Sequence, residues 1–61
     1  MIKEHDIVEV NAELAGNTLV EHDFVGTVIS LHTRNGELVA VEVEDQDNDV
    51  FTVEAQAIKK V

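Results

Sequence analysis

The alternation of valines with other residues along the segment Glu37–Glu44 constrains the fold of this chain more than any other feature. Val39, Val41 and Val43 occupy every second position, with Ala40 and Glu42 between them and Glu44 after the last. Successive side chains of a β-strand point to opposite faces of the sheet, so the three valines share one face. The segment therefore predicts a β-strand with one buried face and one face in water.

A tight turn precedes this strand. Asn35-Gly36 separates it from a second apolar run, Val25–His32. An Asn-Gly pair readily adopts the positive φ angles of a two-residue hairpin turn, which makes it the strongest short-range hairpin signal. The two segments are thus predicted to pair antiparallel. Gly26 within Val25–His32 predicts a bulge, a bend or a close approach of another backbone.

Three further strands follow from the same periodicity. Val8 and Val10 share a face in the first strand, and Phe51 and Val53 point inward in the fourth. A polar turn joins the third and fourth strands, and a 3₁₀ turn precedes the last strand. These elements are predicted at Ile7–Val10, Asp45–Asp49, Val50–Glu54, Ala55–Ala57 and Ile58–Val61.

The segment Asn11–Asp23 has weaker periodicity and is predicted to be a long connecting loop. Gly16-Asn17 is a turn signal within it. Asn11 is suited to cap a single helical turn that begins at the next residue. The apolar residues predicted to pin this loop to the core are Leu14, Leu19 and Val20.

Together these elements predict one all-β domain over residues 1–61, a small five-stranded, partly open barrel. Closing the sheet protects strand edges that would otherwise pair with other chains. A chain of 61 residues builds only a small core, and it contains no cysteine for a disulfide. Association with a protein partner or with a second copy is therefore an expected source of added stability.

The charge balance limits the function. Thirteen acidic residues face four basic ones, which gives a formal net charge of −9. Phosphate binding depends on Lys and Arg, and stacking on bases depends on aromatic residues, of which there are two phenylalanines. The sequence therefore predicts no nucleic-acid partner, and two phenylalanines cannot line a polyproline groove. The absence of cysteine and of an apolar leader or membrane span predicts a cytoplasmic protein without a membrane partner.

Several segments resemble one family. Asp6-Ile7-Val8, Val25-Gly26-Thr27-Val28, Val41-Glu42-Val43-Glu44 and Ile58 are similar to the pattern of a family of small bacterial proteins of unknown function with an SH3-like barrel. The resemblance covers almost the whole chain and implies an SH3-like barrel here. The chain departs from the pattern at Asp23-Phe24, at Val41 where an aromatic is usual, and at Glu44 where phenylalanine is usual. The family's context implies an immunity or antitoxin role for some members.

Two surfaces are candidates for partner binding. One is an acidic surface on the third and fourth strands and the turn between them. The other is the long loop, since loops held by a rigid barrel often carry recognition. Each surface also has a purely structural interpretation, and that interpretation is favoured over partner binding. The glutamates would keep a strand edge soluble through their charge. The apolar loop residues would close the open end of the barrel. The candidate residues are Glu42, Glu44, Asp45, Asp47, Asp49, Glu54, Leu19 and Phe24.

Metal and catalytic sites are not predicted. Asp45, Asp47 and Asp49 have the spacing of a calcium loop, but Val50 and Gln56 stand where that loop needs Gly and Glu. The histidines, His5, His22 and His32, lack close metal-type spacing and are predicted to be exposed. No cysteine nucleophile, Gly-rich phosphate loop or G-x-S-x-G motif is present. The chain is therefore predicted to be neither an enzyme nor a cofactor carrier.

The resulting prediction is a non-enzymatic small acidic protein-interaction module, with a basic protein or a second copy of the chain as partner. One alternative is an immunity protein or antitoxin that covers a basic toxin or nuclease surface. A further alternative, which the charge disfavours, is a nucleic-acid-associated module of the KOW type.

Overall fold

The computed structural model describes all 61 residues and contains five antiparallel β-strands in one sheet. The strand order across the sheet is β4-β3-β2-β1-β5, so β4 and β5 form its two edges and the sheet does not close into a barrel. This confirms the predicted all-β class and is consistent with a small, partly open, SH3-like barrel. The strands are β1 (Ile7–Val10), β2 (Phe24–Arg34), β3 (Glu37–Glu44), β4 (Val50–Glu54) and β5 (Ile58–Lys60), and 3₁₀ turns span Ala12–Leu14 and Ala55–Ala57.

The predicted Asn-Gly turn is confirmed. Asn35 and Gly36 have φ angles of 53° and 80°, the positive values that a tight hairpin turn requires. Arg34 pairs directly with Glu37 across the turn. Because this turn allows pairing to begin at once, β2 extends beyond the predicted His32 to Arg34. At its other end β2 begins one residue earlier than predicted, since Phe24 pairs with Val10 of β1. β5 ends one residue earlier than predicted.

The core is built from small apolar side chains. Valines alternate inward from four strands, and two alanines and one valine from the connecting segments complete the cluster. Partly buried side chains, among them Phe24, Leu31, Leu38 and Phe51, pack against this cluster. Its nine buried members are Val8, Val10, Ala15, Val20, Val28, Val41, Val43, Val53 and Ala57.

The prediction that Val39 is buried is wrong, and an irregularity in the β2–β3 pairing explains it. His32 pairs with Ala40 and Thr33 pairs with Leu38, so Val39 is left without a partner. An extra residue in one strand changes the face on which the following side chains lie. Val39 is 42% exposed, and Leu38 packs against the core in its place.

The loop between β1 and β2 is tied down by hydrogen bonds and by two small residues. The Asn11 side chain accepts hydrogen bonds from the backbone N–H groups of Glu13 and Leu14, which confirms the predicted cap. Ala15 and Val20 are buried, whereas Leu14 and Leu19 are 44% and 73% exposed. The prediction that Leu14 and Leu19 pin the loop to the core is therefore wrong. The prediction that Val20 does so is confirmed.

Backbone contacts explain why a small residue can anchor this loop. The Glu54 N–H donates to the Ala15 carbonyl at 2.9 Å, and the Asn17 side chain donates to the Thr52 carbonyl at 3.0 Å. These bonds hold the loop against the outer edge of β4 and cover an edge that would otherwise be free. The two 3₁₀ turns are the only helical segments, and neither is a candidate for crossing a membrane.

Candidate functional site: an acidic cleft between the long loop and the aspartate turn

A cleft of about 160 Å³ lies where the long loop meets the turn between β3 and β4. The loop supplies four consecutive residues, Leu19 to His22, and the turn supplies Asp45 and Asp47. Phe24 and Phe51, the first residue of β2 and the second of β4, complete the lining. We refer to this feature as the acidic cleft.

The two phenylalanines form the apolar part of the cleft. Their ring centroids are 5.6 Å apart with a tilt of 54°, a favourable geometry for an aromatic pair. Phe24 lies opposite Val10, and Phe51 lies opposite Val43, so both rings continue the inward-facing side of the sheet to its open end. Both remain only partly buried, which leaves ring surface available to a ligand.

The aspartate turn is held by the Asp45 side chain. Its Oδ1 atom accepts hydrogen bonds from the backbone N–H groups of Asp47 and Asp49 at 2.9 and 3.0 Å. The Asp45 N–H in turn donates to the Asp49 carbonyl at 2.9 Å. The Asp47 carboxylate accepts no hydrogen bond within the chain and is exposed at the cleft. Asp45 therefore shapes the turn, whereas Asp47 is free to meet a ligand.

Asn17 shapes the opposite wall. Its side chain oxygen accepts the Leu19 N–H at 3.0 Å, and its carbonyl accepts the Val20 N–H at 3.1 Å. Val20 is thereby turned into the core and Leu19 is turned outward. An exposed leucine held by a fixed backbone presents apolar surface at low cost in conformational entropy.

The cleft brings together four of the eight residues predicted as partner-binding: Leu19, Phe24, Asp45 and Asp47. The others, Glu42, Glu44, Asp49 and Glu54, do not line it. Each of the three glutamates makes a contact within the chain: Glu42 with His32 at 3.0 Å, Glu44 with Asn48 at 3.1 Å, and Glu54 with Gln56 at 2.8 Å.

The strand register also separates these glutamates from one another. Glu42 lies opposite Thr52, Glu44 opposite Val50, and Glu54 opposite Ala40. No two acidic residues are direct cross-strand partners between β3 and β4, so the repulsion of directly opposed like charges is avoided.

Sequence reasoning missed Glu21, His22 and Phe51 as cleft residues. Glu21 and His22 continue the loop from Leu19, and Phe51 was assigned only to the core. One signal could have pointed to Phe51. The chain has only two aromatic residues, so a contact between Phe24 and Phe51 was a reasonable expectation.

Phe24 also borders a larger hollow, of about 440 Å³, on a different part of the surface from the acidic cleft. Its lining mixes Glu9 and Asp23 with Lys59, and the Asp23 carboxylate is already engaged with the Ala12 N–H at 2.8 Å. This hollow contains no predicted site residue apart from Phe24. The acidic cleft is the better candidate because two independently predicted surfaces meet in it.

The histidines and acidic residues do not form a metal site. No group of three or more such side chains is placed to hold a metal ion. His32 contacts Glu42, and the His22 Nδ1 atom lies 3.3 Å from the Asp23 carbonyl oxygen. His5 has a φ angle of 76° at the turn before β1.

Comparison with family models, curated proteins and solved structures finds no match.

Proposed function

We propose that this domain is a non-enzymatic interaction module that binds a basic segment of another protein at the acidic cleft. One observation supports the proposal most directly. The fold joins an apolar floor, Phe24 and Phe51, to carboxylates from two separate loops, Glu21 and Asp47. Long basic side chains combine an apolar stem with a charged end, so they complement this arrangement.

The electrostatics of the whole chain support the same partner class. A formal charge of −9 on 61 residues attracts positively charged surfaces and accelerates their association. An Arg guanidinium or Lys ammonium group in the cleft would contact the Asp47 carboxylate, and it would also lie near the faces of the aromatic rings. We place this function in the cytoplasm, the compartment that the composition favours.

Nucleic acid is a poorer fit to the same surface. The four basic residues are Lys3, Arg34, Lys59 and Lys60, and none of them lines the cleft. Phosphates approaching the two phenylalanines would meet carboxylates, so the KOW-type alternative is disfavoured.

An immunity or antitoxin role is a special case of the proposal, in which the basic partner is a toxin or nuclease surface. The family resemblance motivates this case. Strongly salt-dependent co-purification with the product of a neighbouring gene would support it.

The proposal is tested with two matched peptides, one alternating Arg with Leu and the other alternating Glu with Leu. Backbone chemical shifts are followed by NMR during titration of the labelled domain with each peptide. We expect the Arg peptide to shift the resonances of Leu19, Phe24 and Asp47 and to bind more weakly as salt is raised. The Glu peptide should not bind.

Matched variants locate the contact. Asp47→Asn and Leu19→Ala should weaken binding of the Arg peptide several-fold. Asp49→Asn is the control, because Asp49 belongs to the same turn and carries the same charge but does not line the cleft. Equal losses of peptide affinity in Asp47→Asn and Asp49→Asn would show that binding depends only on the net charge of the domain. Such a result would contradict the assignment of the cleft as the binding site.

A further inference from the structure

The outward face of β1, β2 and β5 brings several exposed apolar side chains together. Val25 on β2 lies opposite Glu9 on β1, which in turn lies opposite Lys59 on β5. Ile7 lies opposite Thr27, and the Val61 N–H donates to the Ile7 carbonyl at 3.0 Å. Ile7, Val25 and Val61 are 46%, 54% and 73% exposed. We call these six residues the β1 face.

The charges of the β1 face are balanced, although the chain as a whole is strongly acidic. Glu9 and Lys59 are the only charged members of the face, and both are exposed. Neither belongs to an ion pair within the chain, since the two pairs present are His32–Glu42 and Lys60–Asp6. The face therefore offers one unpaired negative and one unpaired positive charge amid apolar surface.

A second copy of this chain would satisfy both charges at once. A two-fold axis in the interface, parallel to β1 and β5 and midway between them, places β1 of each copy across β5 of the other. Glu9 and Lys59 are direct cross-strand partners, so this operation brings Glu9 opposite Lys59 of the partner copy and Lys59 opposite its Glu9. The same operation brings Ile7 opposite Val61 of the partner copy.

We propose that the chain forms a two-fold symmetric dimer through the β1 face. A domain with only ten buried residues gains from covering the exposed side chains of Ile7 and Val61. The face is suited to self-association because its own charges sum to zero. Repulsion between exposed acidic groups of the two copies that lie more than about 8 Å apart is largely screened at physiological salt. The acidic cleft is not part of this face, so the dimer and the binding of a basic partner are separate properties.

The test is sedimentation velocity on the whole chain, from micromolar to millimolar concentration at physiological salt. We expect a concentration-dependent monomer–dimer equilibrium. Glu9→Lys and Lys59→Glu should each weaken the dimer about tenfold, since each replaces two attractive contacts by two repulsive ones. The double variant with both substitutions should restore dimerisation, because the charges are exchanged but remain complementary.

The exposed variant Glu13→Lys controls for net charge, as it alters the charge by the same amount as Glu9→Lys but lies outside the β1 face. It should dimerise at least as strongly as the unmodified chain. Circular dichroism establishes that each variant keeps its β-structure, and recovery in the double variant excludes misfolding as the cause of loss. A monomer at all concentrations, or failure of the double variant to recover, would overturn the proposal.

Discussion

Gly26 lies directly against the Glu44 carbonyl group: a Cβ atom at position 26 would lie 2.5 Å from the Glu44 carbonyl oxygen. The same atom would lie 2.7 Å from a methyl group of Val43. Both neighbours belong to a packed strand, so neither can move away without disturbing the pairing of β2 with β3. The close approach of another backbone, one of the alternatives predicted for Gly26, is confirmed.

Gly26→Ala is therefore expected to lower the free energy of unfolding by about 1–3 kcal/mol, the usual cost of overpacking. Urea denaturation followed by circular dichroism measures the loss. Gly36→Asn is the matched control: position 36 has open space and a positive φ that asparagine tolerates, so the cost should stay below about 1 kcal/mol. A Gly26→Ala variant as stable as the control would contradict the close approach.

Substitutions at Asp45 and at Asp47 should affect different properties, the first the stability of the fold and the second the binding of a ligand. Asp45→Ala removes the acceptor of two backbone N–H groups and should lower the free energy of unfolding by about 1–2 kcal/mol. Asp45→Asn keeps a side-chain oxygen in place and should lose less. Asp47→Ala should leave the free energy of unfolding nearly unchanged while it weakens binding of the Arg peptide. If Asp47→Ala destabilises the fold as much as Asp45→Ala, the division of roles between them is wrong.

Val41 and Val39 test the irregularity in the β2–β3 pairing between His32 and Thr33. Val41 is fully buried, so Val41→Ala should lower the free energy of unfolding by about 2 kcal/mol. Val39 has no cross-strand partner and is partly exposed, so Val39→Ala should cost less than about 0.5 kcal/mol. Thermal or urea unfolding of the two variants compares them directly, and equal losses would place both valines in the core, as strict alternation predicts.

The strands could be predicted well where two local signals agree. Glu37–Glu44 and Val50–Glu54 have the predicted bounds because alternation and flanking turns define the same segments. Val39 shows the limit of such reasoning. Its exposure depends on how β3 pairs with β2, and a pairing irregularity is a property of two strands that neither strand's own pattern reveals.

The candidate site was predictable in its parts but not in its assembly. Leu19 and Phe24 on one side, and Asp45 and Asp47 on the other, were identified separately as candidates. Their meeting depends on long-range hydrogen bonds, such as that from Asn17 to the Thr52 carbonyl, which no local periodicity encodes. The contacts that the strand glutamates make within the chain, such as that of Glu42 with His32, are equally invisible to local patterns.

The pKa of Asp6 is lowered, and this links stability to pH. The first cause is the hydrogen bond that its Oδ2 atom accepts from the Lys3 N–H at 2.8 Å, and the Lys60 ammonium group at 3.6 Å acts in the same direction. A depressed pKa in the folded state means that ionised Asp6 stabilises the fold above the ordinary value of 3.8. That stabilisation is lost as the pH falls through the lower pKa of the folded state.

Asp6→Asn isolates this contribution, because it keeps the shape and the acceptor oxygen but removes the charge. The unmodified chain should be more stable than Asp6→Asn at neutral pH, and the difference should shrink to nothing as the pH falls below the usual aspartate range. Measuring the difference cancels the titration of the other acidic residues, whose protonation relieves repulsion across a chain of net charge −9. Urea denaturation of both proteins from neutral to strongly acidic pH provides the comparison, and a difference that does not vary with pH would contradict the role assigned to Asp6.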